Sequence, residues 1–396
     1  MRQRINACKL ETLDRKSVEH KKLFIKNLIK GNSRAKKFDV RTLIIDDIVP
    51  GADSVVGMVI TKEGIIYGGL TNPSGSGHLL LKYDPYTDTV RDCGVILIDD
   101  VTPKDQPDKN NVKLGHHALE IGCDGKIYGC TSALHGPSYA LYSYEVIDGG
   151  HMISYDPKTR EIKDFGVPVP HEFGFAATID PKGEKFYCFT YPMNFLFIFE
   201  IPDGIISVKG QIRGSLGEFI CHDLVRDKLG NVYGSYGAGA LFKYDPDKDK
   251  IIETDIKLPG KGVLDAGALA DDGTIYGGTR DGHFFSFDPE TEKIRNLGSP
   301  PGGKRTCGVE VARGKIYGFQ GDVHTGGIGN THLFVYDPDT DKVTDLGLVE
   351  DSTRGTWAGT RKRAYVIHST AIGLDGTIYA GETDRYPHLY IIKLRE

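Results

Sequence analysis

One phrase returns along this chain and limits what it can become. Gly-x-Ile-Tyr-Gly, or a close variant, places an aromatic at Tyr67, Tyr128, Tyr187, Tyr233, Tyr276, Tyr317 and Tyr379. A second phrase, Tyr/Phe-Asp-Pro, follows it at Asp84, Asp156, Asp245, Asp288 and Asp337. The cleanest copy is Ala270–Leu297, which reads as a turn at Asp272-Gly273, a strand, a short polar loop, a second strand, an Asp288-Pro289 turn and a third strand. These segments are short, rich in Val, Ile, Tyr and Phe, and punctuated by Gly, Asp and Pro. Most of the spacings suit propeller blades, and the longer ones contain insertions. A unit of this kind cannot bury both of its own faces, so it must stack on copies of itself.

The pattern therefore predicts an all-β fold, a seven-bladed β-propeller of four-stranded antiparallel blades over residues 38–396. The last blade has only three strands before Glu396. Phe38–Ile48, which no earlier blade claims, is expected to supply its outer strand and close the ring, because a free strand would leave two exposed edges.

Residues 1–37 are different. They carry +9, against −14 for the remainder of a chain totalling −5. Ser17–Lys30 has helical apolar spacing with Gly31 as a cap, so a basic, partly helical N-terminal extension is expected. It reads as a solvated helix ahead of a partner- or membrane-binding arm. It lacks the apolar core and cleavage site of a secretory signal. Seven cysteines without paired spacing argue against a disulfide framework and slightly favour a reducing compartment. Secretion stays open if a leader was trimmed. No run approaches the ~20 apolar residues of a membrane span. The acidic body disfavours nucleic acid.

Function is sought where blades depart from the repeat, in the loops before each inner strand and between the second and third strands, which share one face. Thr131–Gly150 holds His135 and Tyr139, and Gln320–Thr331 holds Asp322 and His324. Ser352–Ala364 brings Arg354, Trp357 and Arg361, a stacking platform beside cations that suits an acidic sugar. Counting back eleven residues from each repeat tyrosine aligns Val56, His117, Ala176 (or Phe175), His222, Asp265, Thr306 and His368, with Cys221 and Cys307 alongside. His222, Asp265, Cys307 and His368 have the donor types of a tetrahedral zinc shell, with a hydrogen-bonded polar plug as the alternative. His78, His283, His332 and His388 recur at the start of the third strand and read as structural. His116, His117, His135, Tyr191 and Arg213 form a second constellation, with groups for proton transfer and a guanidinium for a carboxylate.

On these residues the chain resembles the seven-bladed propeller polysaccharide lyases, especially the ulvan lyases. The order His117 and His135, Tyr191 and Arg213, then His222 and His368 is similar to theirs. The resemblance implies cleavage of acidic, uronate-containing glycans by β-elimination. His117, His135, Tyr191 and Arg213 would be catalytic, His116, Tyr139, Arg354, Trp357 and Arg361 would bind substrate, and a zinc ion, structural rather than catalytic, would sit on the later inner strands. The competing readings are a non-catalytic glycan- or protein-binding propeller and a metal-dependent enzyme using axial histidines. The oligomeric state is open.

Overall fold

The repeat tyrosines sit on the second strands of successive antiparallel units. The computed structural model describes residues 37–72, 77–96, 112–133, 148–213, 220–321, 329–351, 363–383 and 387–395. Among them 28 strands and no helix are found, and none of the described segments is a helix long and apolar enough to cross a membrane. The strands form five separate four-stranded antiparallel sheets and one of eight. The larger sheet joins two consecutive four-stranded units through one pair, Thr71 with Lys113. The architecture is propeller-like.

Each unit runs from an inner strand outward by hairpins. The inner strands are Ser54–Ile60, Val112–Ile121, Phe173–Ile179, Val225–Arg226, Leu264–Leu269, Arg305–Ala312 and Ile367–Ile372. In the last sheet the outer position is taken by Phe38–Ile44, paired antiparallel with His388–Leu394 from Phe38↔Leu394 to Ile44↔His388. Residues Phe38–Glu396 form one compact unit. The helix expected over Ser17–Lys30 lies outside the described residues.

The repeated residues have repeated jobs. The Asp of Tyr-Asp-Pro turns its carboxylate back on the following backbone: Asp84 accepts from the Tyr86 and Thr87 amides, and Asp156 from those of Lys158 and Thr159. Four residues further on, Asp88, Asp249 and Asp341 hold left-handed backbone (φ 53°, 49° and 52°). Each accepts a hydrogen bond from the tyrosine of its own phrase, Tyr83, Tyr244 and Tyr336. Each also meets a cation from the outer strand of the preceding sheet: Arg41, Lys209 and Arg295 respectively. The histidines that open the third strands are structural too: His78 pairs with Asp92, His332 with Asp345 at 3.0 Å, and His388 with Glu382, while His283 reaches Ser299 at 3.4 Å. His151 does the same with Asp164 at 2.9 Å.

The glycines after the tyrosine let adjacent sheets approach. A Cβ on Gly278 would lie 2.3 Å from the Thr306 carbonyl of the next sheet, where only a shift of backbone could relieve it. Gly278→Ala is expected to cost about 1–3 kcal/mol or more by overpacking, read as a drop in thermal midpoint. Gly267→Ala, whose Cβ would meet the Val225 side chain at 3.3 Å, is the milder comparison.

Candidate functional site

The inner strands share a defect. Their pairing with the second strand slips by one residue between Val55 and Gly57, Gly174 and Ala176, Leu264 and Ala266, Thr306 and Gly308, and Ile367 and Ser369. The extra residues are Val56, Phe175, Asp265, Cys307 and His368. A bulge leaves its extra residue out of the ladder and re-aims its side chain. In Val112–Ile121 the interruption is wider, from Leu114 to Leu119, and it contains His116 and His117. His117 has φ 46°, a strained conformation for a side chain of this size. In the fourth unit regular pairing begins only at Val225, after His222.

Several of these side chains converge. The His116 ring lies 4.8 Å from Phe175, 5.7 Å from His222 and 4.9 Å from His368, and His117 lies 6.1 Å from His368. Phe175 also meets His222 edge-on at 5.0 Å. His116 Nδ1 and His368 Nδ1 are 3.0 Å apart. Three cations surround this group. Lys113 Nζ is 2.7 Å from His116 Nε2, and Arg280 Nη1 is 3.2 Å from His222 Nε2. Arg305 grips Asp265 bidentately at 2.9 and 2.6 Å and passes 3.5 Å from His222 Nδ1. Arg280 is exposed, whereas Lys113, Arg305, His222, Asp265 and His368 are buried.

Burial pushes the His116, His222 and His368 imidazoles well below their ordinary range, and the neighbouring cations push the same way. His117 is lowered to about 4, chiefly by burial, with Asp265 opposing. All four are neutral near pH 7, so each offers one donor and one lone pair. The Nε2 atoms of His117 and His368 are buried and have no hydrogen-bond partner.

Beyond the cluster, along the same strands, residues from all seven inner strands line one cavity of about 550 Å³. Its walls carry His117, Arg226 and the carboxyls of Glu120, Asp223 and Glu310. Burial raises Glu120 to about 8 and Glu310 to about 7, and holds Asp223 well above the ordinary range.

The sequence-based assignments distribute unevenly over this geometry. His117 and His116 lie in the cluster with His222, Asp265 and His368. Cys307 does not join them: the donor atoms within 4.8 Å of one another belong to His116, His222 and His368. His116, expected to bind substrate, occupies the place expected of Cys307, and Asp265 is already held by Arg305. Tyr191 is fully buried between Phe173 and Phe175, and its hydroxyl accepts from Ser132 at 3.4 Å. It stands one ring away from His116. Arg213 is elsewhere, just beyond the outer strand Ile205–Gln211, its exposed guanidinium 2.8 Å from Glu253. The guanidinium at the cluster is that of Arg305, with Arg280 beside it. His135, Tyr139, Arg354, Trp357 and Arg361 lie outside the described residues. Lys113, Arg280 and Arg305 escaped the sequence reading. A signal was available: Lys113 is three residues before His116, and Arg305 two before Cys307.

No protein-family model matches the chain, and no curated protein does. Solved structures share its fold. The extracellular domain of a protein described as a hybrid two-component system from B. thetaiotaomicron superposes with a TM-score of 0.59 at 15% identity, over 90% of this chain and 39% of that one. This chain thus spans about two fifths of that protein's solved length. A catalytically inactive virginiamycin B lyase from Staphylococcus aureus, solved with quinupristin, gives 0.62 at 10% identity over 90% of this chain and all (100%) of that one. A chain of the mitotic checkpoint complex gives 0.62 at 10% identity, covering 100% of both. The first two are propeller-like folds, and none of the three is described as a polysaccharide lyase.

Proposed function

We propose that the chain is a seven-bladed β-propeller, closed by its N-terminal strand, that cleaves uronate-containing glycans by β-elimination on its loop-rich face. The blade count is supported by seven copies of the repeat and seven inner strands around one cavity. Closure is supported by the pairing of Phe38–Ile44 with the final strand. It is further supported by the core that Val55, Leu81 and Tyr83 share with Tyr379 and Leu389. The Ser369 hydroxyl also donates to the Val55 carbonyl at 2.9 Å.

The observation that carries the functional reading is the gathering of Lys113, Arg280 and Arg305 around neutral histidines at the N-terminal ends of the inner strands. Elimination from a uronate needs preplaced positive charge for a carboxylate whose negative charge grows as the C5 proton leaves. It also needs a neutral base within reach. In this reading the three cations hold the carboxylate and His117 takes the C5 proton. The C4–O bond breaks, a C4=C5 double bond forms, and the departing oxygen takes a proton from a neighbouring donor. Tyr191, enclosed by aromatic rings, supports the site from behind.

The test is the ultraviolet absorbance of the conjugated, unsaturated uronate, measured with the purified protein on a panel of uronate-rich polysaccharides. Absorbance should rise, and His117→Ala should lower the rate about 10²- to 10⁴-fold, the usual contribution of a positioned base. No rise across the panel would overturn the lyase reading. Glycan binding without turnover would instead favour a non-catalytic propeller using the same face.

A further inference from the structure

His116, His222 and His368 have the number of donors that a catalytic zinc uses, and the spacing is close enough for one ion. Their hydrogen bonds point the other way. A lysine ammonium only donates, so the 2.7 Å contact from Lys113 occupies the lone pair of His116 Nε2. His116 then carries its proton on Nδ1 and donates to His368 Nδ1 at 3.0 Å. His368 is left with its proton on Nε2. The shorter of the two cation contacts at His222 decides its tautomer: Arg280 donates to Nε2 at 3.2 Å, against 3.5 Å from Arg305 to Nδ1, so the His222 proton resides on Nδ1, 3.4 Å from Asp265 Oδ1. These tautomers are assigned from the bonding pattern. Every imidazole lone pair of the trio is therefore already in use. A metal ion would have to displace both Lys113 and Arg280, and would then sit among fixed positive charges.

What the network leaves over is a donor. His368 is 2% exposed, and its Nε2–H has no hydrogen-bond partner. His117 Nε2, on the ring 6.1 Å away, is also buried without one. Leaving a buried donor without an acceptor is costly, and an oxygen ligand would recover that cost. Asp265, the one carboxylate in contact with the trio among the described residues, is already gripped by Arg305.

We infer that this cluster is an oxyanion site and not a metal centre: it takes a carboxylate or phosphate-type group, with an oxygen accepting from His368 Nε2 in the field of Lys113, Arg280 and Arg305. In the lyase reading the oxyanion is the uronate carboxylate. The inference rests on that reading only for the identity of the glycan, and a free anion of the same chemistry would satisfy it.

The experiment measures metal content of the purified full chain by elemental analysis. It then follows thermal unfolding with chelator, zinc, phosphate, galacturonate and neutral galactose. Metal should be substoichiometric and chelation without effect. Phosphate or galacturonate should raise the thermal midpoint saturably while galactose does not. Arg280→Gln, whose exposed side chain spares the fold, should weaken the response at least about tenfold, the loss of one charge-assisted hydrogen bond. Lys113→Met should weaken it further. Phosphate binding without galacturonate binding would uphold the oxyanion site and remove the uronate. Stoichiometric metal whose removal lowers the midpoint would overturn the inference. So would no anion response, or an undiminished response in Arg280→Gln, which marks a general salt effect.

Discussion

Arg305→Met is expected to destabilise the protein by about 3–5 kcal/mol, the usual consequence of removing one partner from a buried ion pair. Arg305 holds Asp265 through two bonds of 2.9 and 2.6 Å, and Asp265 is 1% exposed. Without the guanidinium the carboxylate keeps, among the described residues, only the His222 Nδ1–H at 3.4 Å beside it, a weak replacement. The change should appear as a lower denaturant midpoint with an unchanged slope. The double variant Arg305→Met/Asp265→Asn should recover a large part of the loss, because the isolated charge, rather than the missing contact, dominates it. A single-variant cost below about 1 kcal/mol, the range of surface pairs, would show that water reaches the pair. Asp265 would then be a poor anchor for the cluster.

The second large effect is on pH. Glu120 and Glu310 are raised to about 8 and about 7 in the folded chain, from an ordinary value of 4.5. The folded state therefore holds protons that the unfolded chain has released. Stability from these groups is fully present below pH 4.5 and is lost as pH rises through 7 and 8. The buried histidines act in the opposite direction. His117 is lowered from 6.5 to about 4, and His116, His222 and His368 are lowered well below 6.5, so they favour the fold above pH 6.5 and withdraw that contribution as pH falls. The two sets oppose each other between pH 4.5 and 6.5, and above that range stability falls. Between pH 6.5 and 8 only the carboxyls change. Each pK unit corresponds to about 1.4 kcal/mol, reduced where the Glu120 carboxyl faces the cavity, so a loss of a few kcal/mol is expected over that range. Glu120→Gln/Glu310→Gln should reduce the alkaline slope of the thermal-midpoint profile, leaving the share of Asp223 and of Glu172, which burial raises to about 7, and should keep the acid side in place. An alkaline slope undiminished in the double variant would remove these two groups as its cause.

The repeat was legible because it is local. Tyr67, Tyr276 and their counterparts, the Asp-Pro turns, and the glycines that follow each tyrosine encode strand, turn and close approach within a few residues of themselves. The pairing partner of Phe38–Ile44 could be read for a similar reason: the last unit lacked a strand and one strand-like segment was unassigned. The site was legible only in part. Counting back from the tyrosines reached His117, His222, Asp265 and His368, because the same number of residues separates each of them from its tyrosine whatever the length of the paired strand. It chose Thr306 over Cys307 and left Phe175 as a second option to Ala176, because a bulge adds a residue without a mark in the local pattern. Arg213, expected near the top of its unit's last strand, does lie just past that outer strand, but its guanidinium meets Glu253 rather than the cluster.

The repeated unit, the all-β class and the registers that carry histidine are written into the chain locally. These follow from alternation and turn chemistry, which depend on neighbours along the chain. Tertiary structure alone decided which side chains share a space. Lys113 and His368 are separated by most of the chain, yet both reach His116. Arg305 comes from one inner strand to hold the bulged aspartate of another. Those meetings depend on how far each bulge turns its residue and on how the sheets stack around the cavity. They are contacts between copies of the repeat, and no single copy contains them.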